Sequence, residues 1–179
     1  MKRYVALLRG INVGGKNKIS MKDLKSNLEN LAYGNVKTYL NSGNVIFSSE
    51  ERNIANLKCQ IETMIKQEFN LDIPVYIILQ EHLKDILNNA PTWWHDNGKE
   101  IYDNLIFIIP PATFADVYAE LKEPNKDLEK ISNYEDVIFW SFVRKDYNKT
   151  NWWAKTSTAK ISNSLTIRTA NTVKKIADM

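Results

Sequence analysis

A single cysteine, Cys59, and only two histidines, His82 and His95, stand in the 179 residues. One thiol cannot close an internal disulfide, and a chain without disulfides suits a reducing compartment. The two histidines lie thirteen residues apart, with no cysteine or carboxylate spacing around them that makes a zinc set, so no metal is expected. No run approaches the ~20 apolar residues a membrane span needs. The N-terminus has neither the apolar stretch nor the small-residue cleavage site of a secretory signal. The expectation is a cytoplasmic protein with no membrane partner. Cys59 falls between the apolar positions of its helix with no basic neighbour but Lys58, so it reads as an inert thiol. Glycine is scarce, with six in all, and only five of the 24 basic residues are arginine.

What is present is ordinary in bulk and uneven in detail. Apolar residues make up 44% and charged residues 25%, the balance of a globular chain able to bury one core or two small ones. The lysine- and asparagine-heavy usage suits an AT-rich bacterial genome. Residues 1–40 carry eight basic and two acidic side chains, residues 140–179 the same, and residues 41–139 eight basic against seventeen acidic. If the ends meet in space, an anionic partner follows from that asymmetry; if they do not, the middle simply holds acidic solvated helices.

Periodicity orders the first half as βαββαβ. A strand at 4–8 leads to a helix with Ser20 as N-cap, Asp23 at the third position, Leu24, Leu28 and Leu31 inward, and Gly34 at its end. Strands at 36–40 and 45–47 flank a turn at 41–44. A second helix follows, with Ile54, Leu57, Ile61, Met64, Ile65 and Phe69 on one stripe, then a strand at 75–79. The remainder repeats the order less cleanly. It reads as a linking helix at 81–89, a loop at 91–99 with Trp93 and Trp94, a strand at 105–109, and a helix at 113–121. A hairpin of 130–134 with 137–143 comes next, then a helix at 151–160, a strand at 165–168 and a last helix at 172–177. The reading is α+β: two ferredoxin-like βαββαβ halves from an internal duplication, with a C-terminal helix. Its parts are 1–80, the first half; 81–103, the linking helix and Trp loop; and 104–179, the second half plus the final helix.

The most informative stretch is LLRGINVGGKNKIS, which holds Gly10, Gly14 and Gly15, half of the chain's glycines. Gly10, Gly15 and Lys16 match the G-x-x-x-x-G-K spacing of a phosphate loop, but Asn17 stands where Ser or Thr would hold magnesium. The helix signal starts only at Ser20, and no apolar strand ends in an Asp suited to a metal. The Walker reading therefore falls. A different site survives it. In a βαββαβ unit the first two strands run parallel, so the exit of strand 1 and the tip of the first hairpin share one edge. That edge gathers Arg9, Lys16 and Lys18 as charge, and Asn12, Asn17, Ser42 and Asn44 as directed hydrogen bonds. Gly10, Gly14, Gly15 and Gly43 supply backbone a ligand can approach closely. The competing reading makes the Gly and Asn residues turn formers only. Against it, a strand-to-helix link needs only ~2–6 residues.

The segments YVALLRGINVGGKNK, MKDL and VKTYLNSGNVIF resemble a bacterial family known as domain of unknown function 1697. The resemblance spans the first 47 residues and returns in TIRTANTVKK at 166–175. The family tail reads Thr-x-Arg-Asn-Trp-Asn-Thr-Val; this chain keeps Arg168, Asn171 and Thr172 but has Thr169 and Ala170 at the Asn and Trp positions. The resemblance implies a doubled ferredoxin-like fold and brings no reaction, cofactor or catalytic residue with it. Arg168, Asn171 and Thr172 are expected to complete the site from the second half, although Thr172 also suits a helix cap.

Other patterns carry less. Ser157 and Lys160 fit S-x-x-K, without the companion S-D-N and K-T-G motifs. Trp152, Trp153, Lys155 and Lys160, with Tyr147 and Lys149, mix aromatics and cations as single-strand binders do, yet one of two adjacent helical tryptophans normally packs inward. Three functions stay open. The first is binding of a phosphate-bearing ligand, a nucleotide or single-stranded nucleic acid, at the glycine-rich loop. The second is an enzyme that clamps a small anionic substrate with that loop, its catalytic residues unknown. The third is an interaction module, including a homodimer paired through sheet or tryptophan surface. No cofactor is expected.

Overall fold

A computed structural model describes residues 1–95 and 98–179. The chain forms two compact units, residues 1–85 with 175–179, and residues 86–174.

The first unit runs β1 (Lys2–Leu8), α1 (Met21–Asn30), β2 (Gly34–Tyr39), β3 (Asn44–Ser49), α2 (Ile54–Phe69) and β4 (Val75–Leu79), and continues into α3 (Gln80–Asn88). Its sheet has the order β2-β3-β1-β4 with every pair antiparallel, the ferredoxin-like arrangement. α1 begins where its cap directs: the Asp23 amide donates to Ser20 Oγ at 3.3 Å. Asn53 Oδ1 caps α2 through the amides of Ala55 and Asn56. Leu24 and Leu28 of α1, with Leu57, Ile61 and Ile65 of α2, bury themselves against Tyr4, Ala6, Val45 and Phe47 of the sheet. Ile54, expected on that stripe, is 41% exposed at the first turn.

Gly34 does not end α1. The helix stops at Asn30, Ala32 takes the left-handed conformation at φ 60°, and Gly34 is the first residue of β2. Tyr33 explains the early exit. Its ring stacks 4.6 Å from Phe47 in the core and its hydroxyl donates to Gln60 Oε1 at 2.7 Å. Burying that ring stabilises the exit by more than the roughly 1 kcal/mol a left-handed alanine costs.

The second unit repeats the plan: β5 (Ile101–Ile108), α4 (Phe114–Leu121), β6 (Glu129–Tyr134), β7 (Val137–Val143), α5 (Trp152–Thr158), β8 (Leu165–Thr169) and α6 (Ala170–Ala177), with sheet order β6-β7-β5-β8. Turns of 3-10 helix at Arg144–Lys149 and Lys160–Ser164 flank the short α5. Thr113 and Asp116 close a reciprocal capping box on α4. The core joins Ile106, Ile108, Val117, Leu121, Ile138, Trp140 and Trp152. Glu129, a buried carboxylate, accepts from Trp140 Nε1 at 3.1 Å and from the amides of Asn125 and Asn151 at 2.8 and 2.6 Å. Three donors satisfy its charge and tie β6 to two loops. Of the loop expected at 91–99, residues 96 and 97 lie outside the described residues.

Candidate functional site

Antiparallel pairing of β1 with both β3 and β4 brings three chain segments to one edge of the first sheet: the exit of β1, the β2–β3 tip and the entry to β4. The Leu8 amide donates to the Gly43 carbonyl at 2.8 Å, and the Arg9 amide to the Pro74 carbonyl at 3.0 Å. Asn12 Nδ2 reaches the Asn41 carbonyl at 2.9 Å. The glycine-rich exit and the hairpin tip, thirty residues apart in sequence, thus share a rim.

The loop at 9–20 is a closed small ribbon. Val13 and Lys16 form a bridge, the Asn12 amide donates to Asn17 O at 3.1 Å, and Asn17 Nδ2 donates to Gly10 O at 3.0 Å. Asn12 is its staple. Its Nδ2 donates to the Ile19 carbonyl as well as to Asn41, and its Oδ1 accepts the Ile19 amide at 2.9 Å. Gly14 and Gly15, at φ 57° and 77°, form the tip, and a Cβ on either would meet nothing within 4 Å. Backbone conformation demands glycine there, and it leaves bare main chain facing open space. Asn44 is fully buried, and its Nδ2 donates to Tyr39 O and Ser42 Oγ, so it shapes the hairpin.

Charge at the rim comes from Lys16 and Lys18, both exposed, with no carboxylate partner among the described residues. Arg9 is half-buried, and desolvation pulls its pKa below the usual guanidinium value. A concavity of about 400 Å³, lined by Asn12, Gly15, Lys18, Ile19, Ser20, Met21 and Asn41, opens at the start of α1. Its lining holds a lysine and no carboxylate, histidine or thiol. Two exposed aliphatic side chains flank it: Val13, 64% exposed on the loop, and Leu40, expected as the last residue of the strand at 36–40 but lying past the end of β2 at Tyr39, 56% exposed in the turn at φ 56°.

The second unit provides an internal control. Its equivalent connection from β5 to α4 occupies residues 109–113 alone, whereas the first unit uses residues 9–20. The fold makes this turn in five residues, so topology does not demand the long glycine-rich ribbon.

Arg168, Asn171 and Thr172 belong to the second unit. Arg168 lies buried on β8, where Nη1 donates to Thr166 Oγ1 at 2.9 Å and Ile167 O at 2.8 Å, and burial pulls its pKa down to about 10. Asn171 Oδ1 lies 2.9 Å from His95 Nε2. α6 starts at Ala170, two residues earlier than expected. Thr169 Oγ1 lies 3.4 Å from the Thr172 amide and 3.0 Å from the Thr172 hydroxyl. Thr and Asn are both good cap residues, so Thr169 keeps the capping chemistry of the asparagine it replaces.

The remaining patterns resolve by geometry. The glycine–lysine pair sits in the ribbon, four residues before the α1 cap, and the sheet is antiparallel, which removes the Walker arrangement. Ser157 Oγ donates to the Ala154 carbonyl, and Lys160 lies beyond the end of α5, so S-x-x-K is not one helical turn. Trp152 is buried with Nε1 on the Lys122 carbonyl, while Trp153 stays 40% exposed. Trp94 is core, edge-on to Phe139 at 5.0 Å. Cys59 is exposed. Among the described residues no cluster of three or more His, Cys, Asp or Glu could hold a metal, and no helix is long and apolar enough to cross a membrane.

Comparison with known proteins agrees with this architecture. A conserved bacterial protein, SP0830 from Streptococcus pneumoniae, superposes with a TM-score of 0.87 at 30% identity, covering 99% of this chain and 97% of that one. No curated protein matches in sequence. A family profile described as a protein of unknown function, DUF1697, matches residues 1–139, through the acidic middle where the motifs thin out. Its span takes in the glycine-rich ribbon, the first hairpin and, from the second unit, β5, α4 and β6: the chain belongs to the DUF1697 family.

Proposed function

We propose that this is a cytoplasmic binding protein whose ligand carries phosphate and is held at the rim formed by the glycine-rich ribbon and the first hairpin. Single-stranded nucleic acid suits the rim better than a free nucleotide does. The observation that carries the reading is the ribbon itself, built where the duplicate fold turns in five residues and presenting Lys16 and Lys18 without carboxylate partners among the described residues. Bare backbone at Gly14 and Gly15 and the start of α1 suit an anion. The exposed Val13 and Leu40 offer an apolar, sequence-tolerant surface beside the charge. A shallow lining whose described residues carry one lysine and no carboxylate or histidine to pair with it favours binding over catalysis.

The test is fluorescence anisotropy with labelled single-stranded DNA and RNA, with mononucleotides as competitors, at two salt concentrations. The reading requires saturable, salt-sensitive binding that Arg9→Ala with Lys16→Ala weakens about tenfold or more. Absence of binding to every oligonucleotide, or affinity indifferent to those substitutions, overturns it.

A further inference from the structure

We infer that the second unit carries a ligand groove of its own, suited to a nucleoside monophosphate, with the base in an aromatic chamber and the phosphate in an adjoining cationic one. This rests on residues of the second unit alone and stands apart from the rim described above.

Topology assembles the groove. β5 runs antiparallel to β7 and β8, so its first residues meet the last residues of both: Ile101 pairs with Val143, and Asn104 with Thr169. Two concavities open at that end of the sheet. One, of about 510 Å³, is lined by His95, Lys99, Asp103, Arg144 and Asn171; the other, of about 340 Å³, by Asn104, Trp140, Trp153, Thr156 and Ser157. Tyr102 and Thr169 line both, so the two adjoin there, and each is of the size small-molecule sites occupy.

The cationic chamber is built to take one anionic group. The Arg144 guanidinium lies 4.8 Å over the Tyr102 ring and has no carboxylate partner among the described residues. Stacking holds the fork in place, the arrangement that suits bidentate phosphate contact. His95 is fixed at both ring nitrogens: Nε2 is 2.9 Å from Asn171 Oδ1, an acceptor, and Nδ1 is 3.1 Å from Lys174 Nζ, a donor. These two contacts hold the ring between α6 side chains and keep Lys174 beside the chamber. Lys99 and Arg144 line the chamber with Asp103, the one carboxylate among its described lining residues, which already accepts the Ser141 hydroxyl; Lys174 stands beside the chamber at His95. Two cationic side chains in so small a chamber suit a single phosphate group.

The aromatic chamber offers a stacking wall. Trp153 is 40% exposed although rings surround it, with Tyr147 at 5.2 Å, Phe142 at 5.5 Å and Tyr102 at 6.5 Å. An indole held by neighbouring rings and open on one side is a platform for a flat base. Asn104, Thr156 and Ser157 place polar atoms at the edge of that platform. The first unit again provides the control. The equivalent corner, at the start of β1 and the end of β4, is lined by Met1, Lys2, Arg3, Gln80, Glu81 and Lys84, with no aromatic ring and about 290 Å³. The fold does not require the aromatic–cation pairing.

The experiment titrates the full chain with AMP, GMP, CMP and UMP, read by tryptophan fluorescence and calorimetry, with inorganic phosphate and adenosine as half-ligands. At least one mononucleotide should saturate with Kd below about 1 mM, and each half-ligand should bind about tenfold more weakly or worse. Arg144→Ala should weaken binding about tenfold or more, Trp153→Leu should remove most of the fluorescence change, and Arg9→Ala with Lys16→Ala should leave Kd unaltered. Lys99→Ala, at an exposed position, repeats the test of the cationic chamber without touching packing. No saturable binding by any mononucleotide overturns the inference. So does a Kd that ignores Arg144→Ala and Lys99→Ala, or one lost with Arg9→Ala and Lys16→Ala, which would assign the ligand to the other rim.

Discussion

Gly43 is seated on Leu8: its carbonyl takes the Leu8 amide at 2.8 Å, and a Cβ built on it would stand 2.7 Å from Leu8 Cβ and 3.0 Å from Ile11 Cδ1. The hairpin tip can lie against the exit of β1 only because this residue has no side chain. Its φ of +79° asks for glycine independently. Gly43→Ala should therefore destabilise the chain by about 2–4 kcal/mol, read as a lower urea midpoint at unchanged slope. A loss under about 0.5 kcal/mol would show the rim to be looser than these contacts describe.

Lys16 and Lys18 are exposed and make no ion pair among the described residues, so their contribution to stability should be small. Lys16→Ala with Lys18→Ala should leave the unfolding midpoint within the equivalent of about 0.5 kcal/mol. The same double substitution should lower the slope of log affinity against log salt for a single-stranded oligonucleotide by about 1.4, two phosphates' worth. An unchanged slope would separate these lysines from the ligand.

Glu129 answers three N–H donors from inside the second unit. Glu129→Leu leaves the Trp140 indole and the amides of Asn125 and Asn151 without their acceptor and should cost about 3 kcal/mol or more. Glu129→Gln keeps one acceptor oxygen and should cost less, about 1–2 kcal/mol. Equal losses in the two variants, measured by denaturant unfolding, would mean that volume rather than hydrogen bonding sets this site.

Tyr33 adds an alkaline pH dependence. Burial first, and the charge of Glu51 second, push its phenol up to about 12 from an ordinary value of 10.0. Between those values the unfolded chain gives up this proton while the folded chain keeps it. The contribution of Tyr33 to stability is therefore complete below pH 10 and is lost as pH rises toward about 12. Tyr33→Phe should flatten the alkaline fall in stability over that window and remove a step near pH 12 from the tyrosinate absorbance titration. Persistence of that step would assign it to another tyrosine.

Adjacent tryptophans illustrate the limit of reading locally. Residues 152 and 153 point about 100° apart on a helix, so the pattern says that one packs inward without saying which. Contact with Trp140 and the carbonyl of Lys122 buries Trp152, and Trp153 is left to the groove. Gly34 shows the same limit at a boundary. Glycine after a helical run is a sound stop signal, but a buried Tyr33 ended the helix sooner.

The order of strands and helices, the Ser20 cap, the β4 limits and the meeting of the β1 exit with the first hairpin were fixed by local chemistry and chain direction, which the amino-acid pattern carries in full. Packing decided what pattern does not encode. It stapled Asn12 to Ile19 and Asn41, sank Asn44 and Arg168 out of solvent, and drew Tyr102, Arg144 and Asn171 together from three strand ends. The physical reason is range: caps, turns and periodicity act over a few residues, whereas the hydrogen-bond commitments and exposure of a side chain depend on neighbours supplied by distant segments of the folded chain.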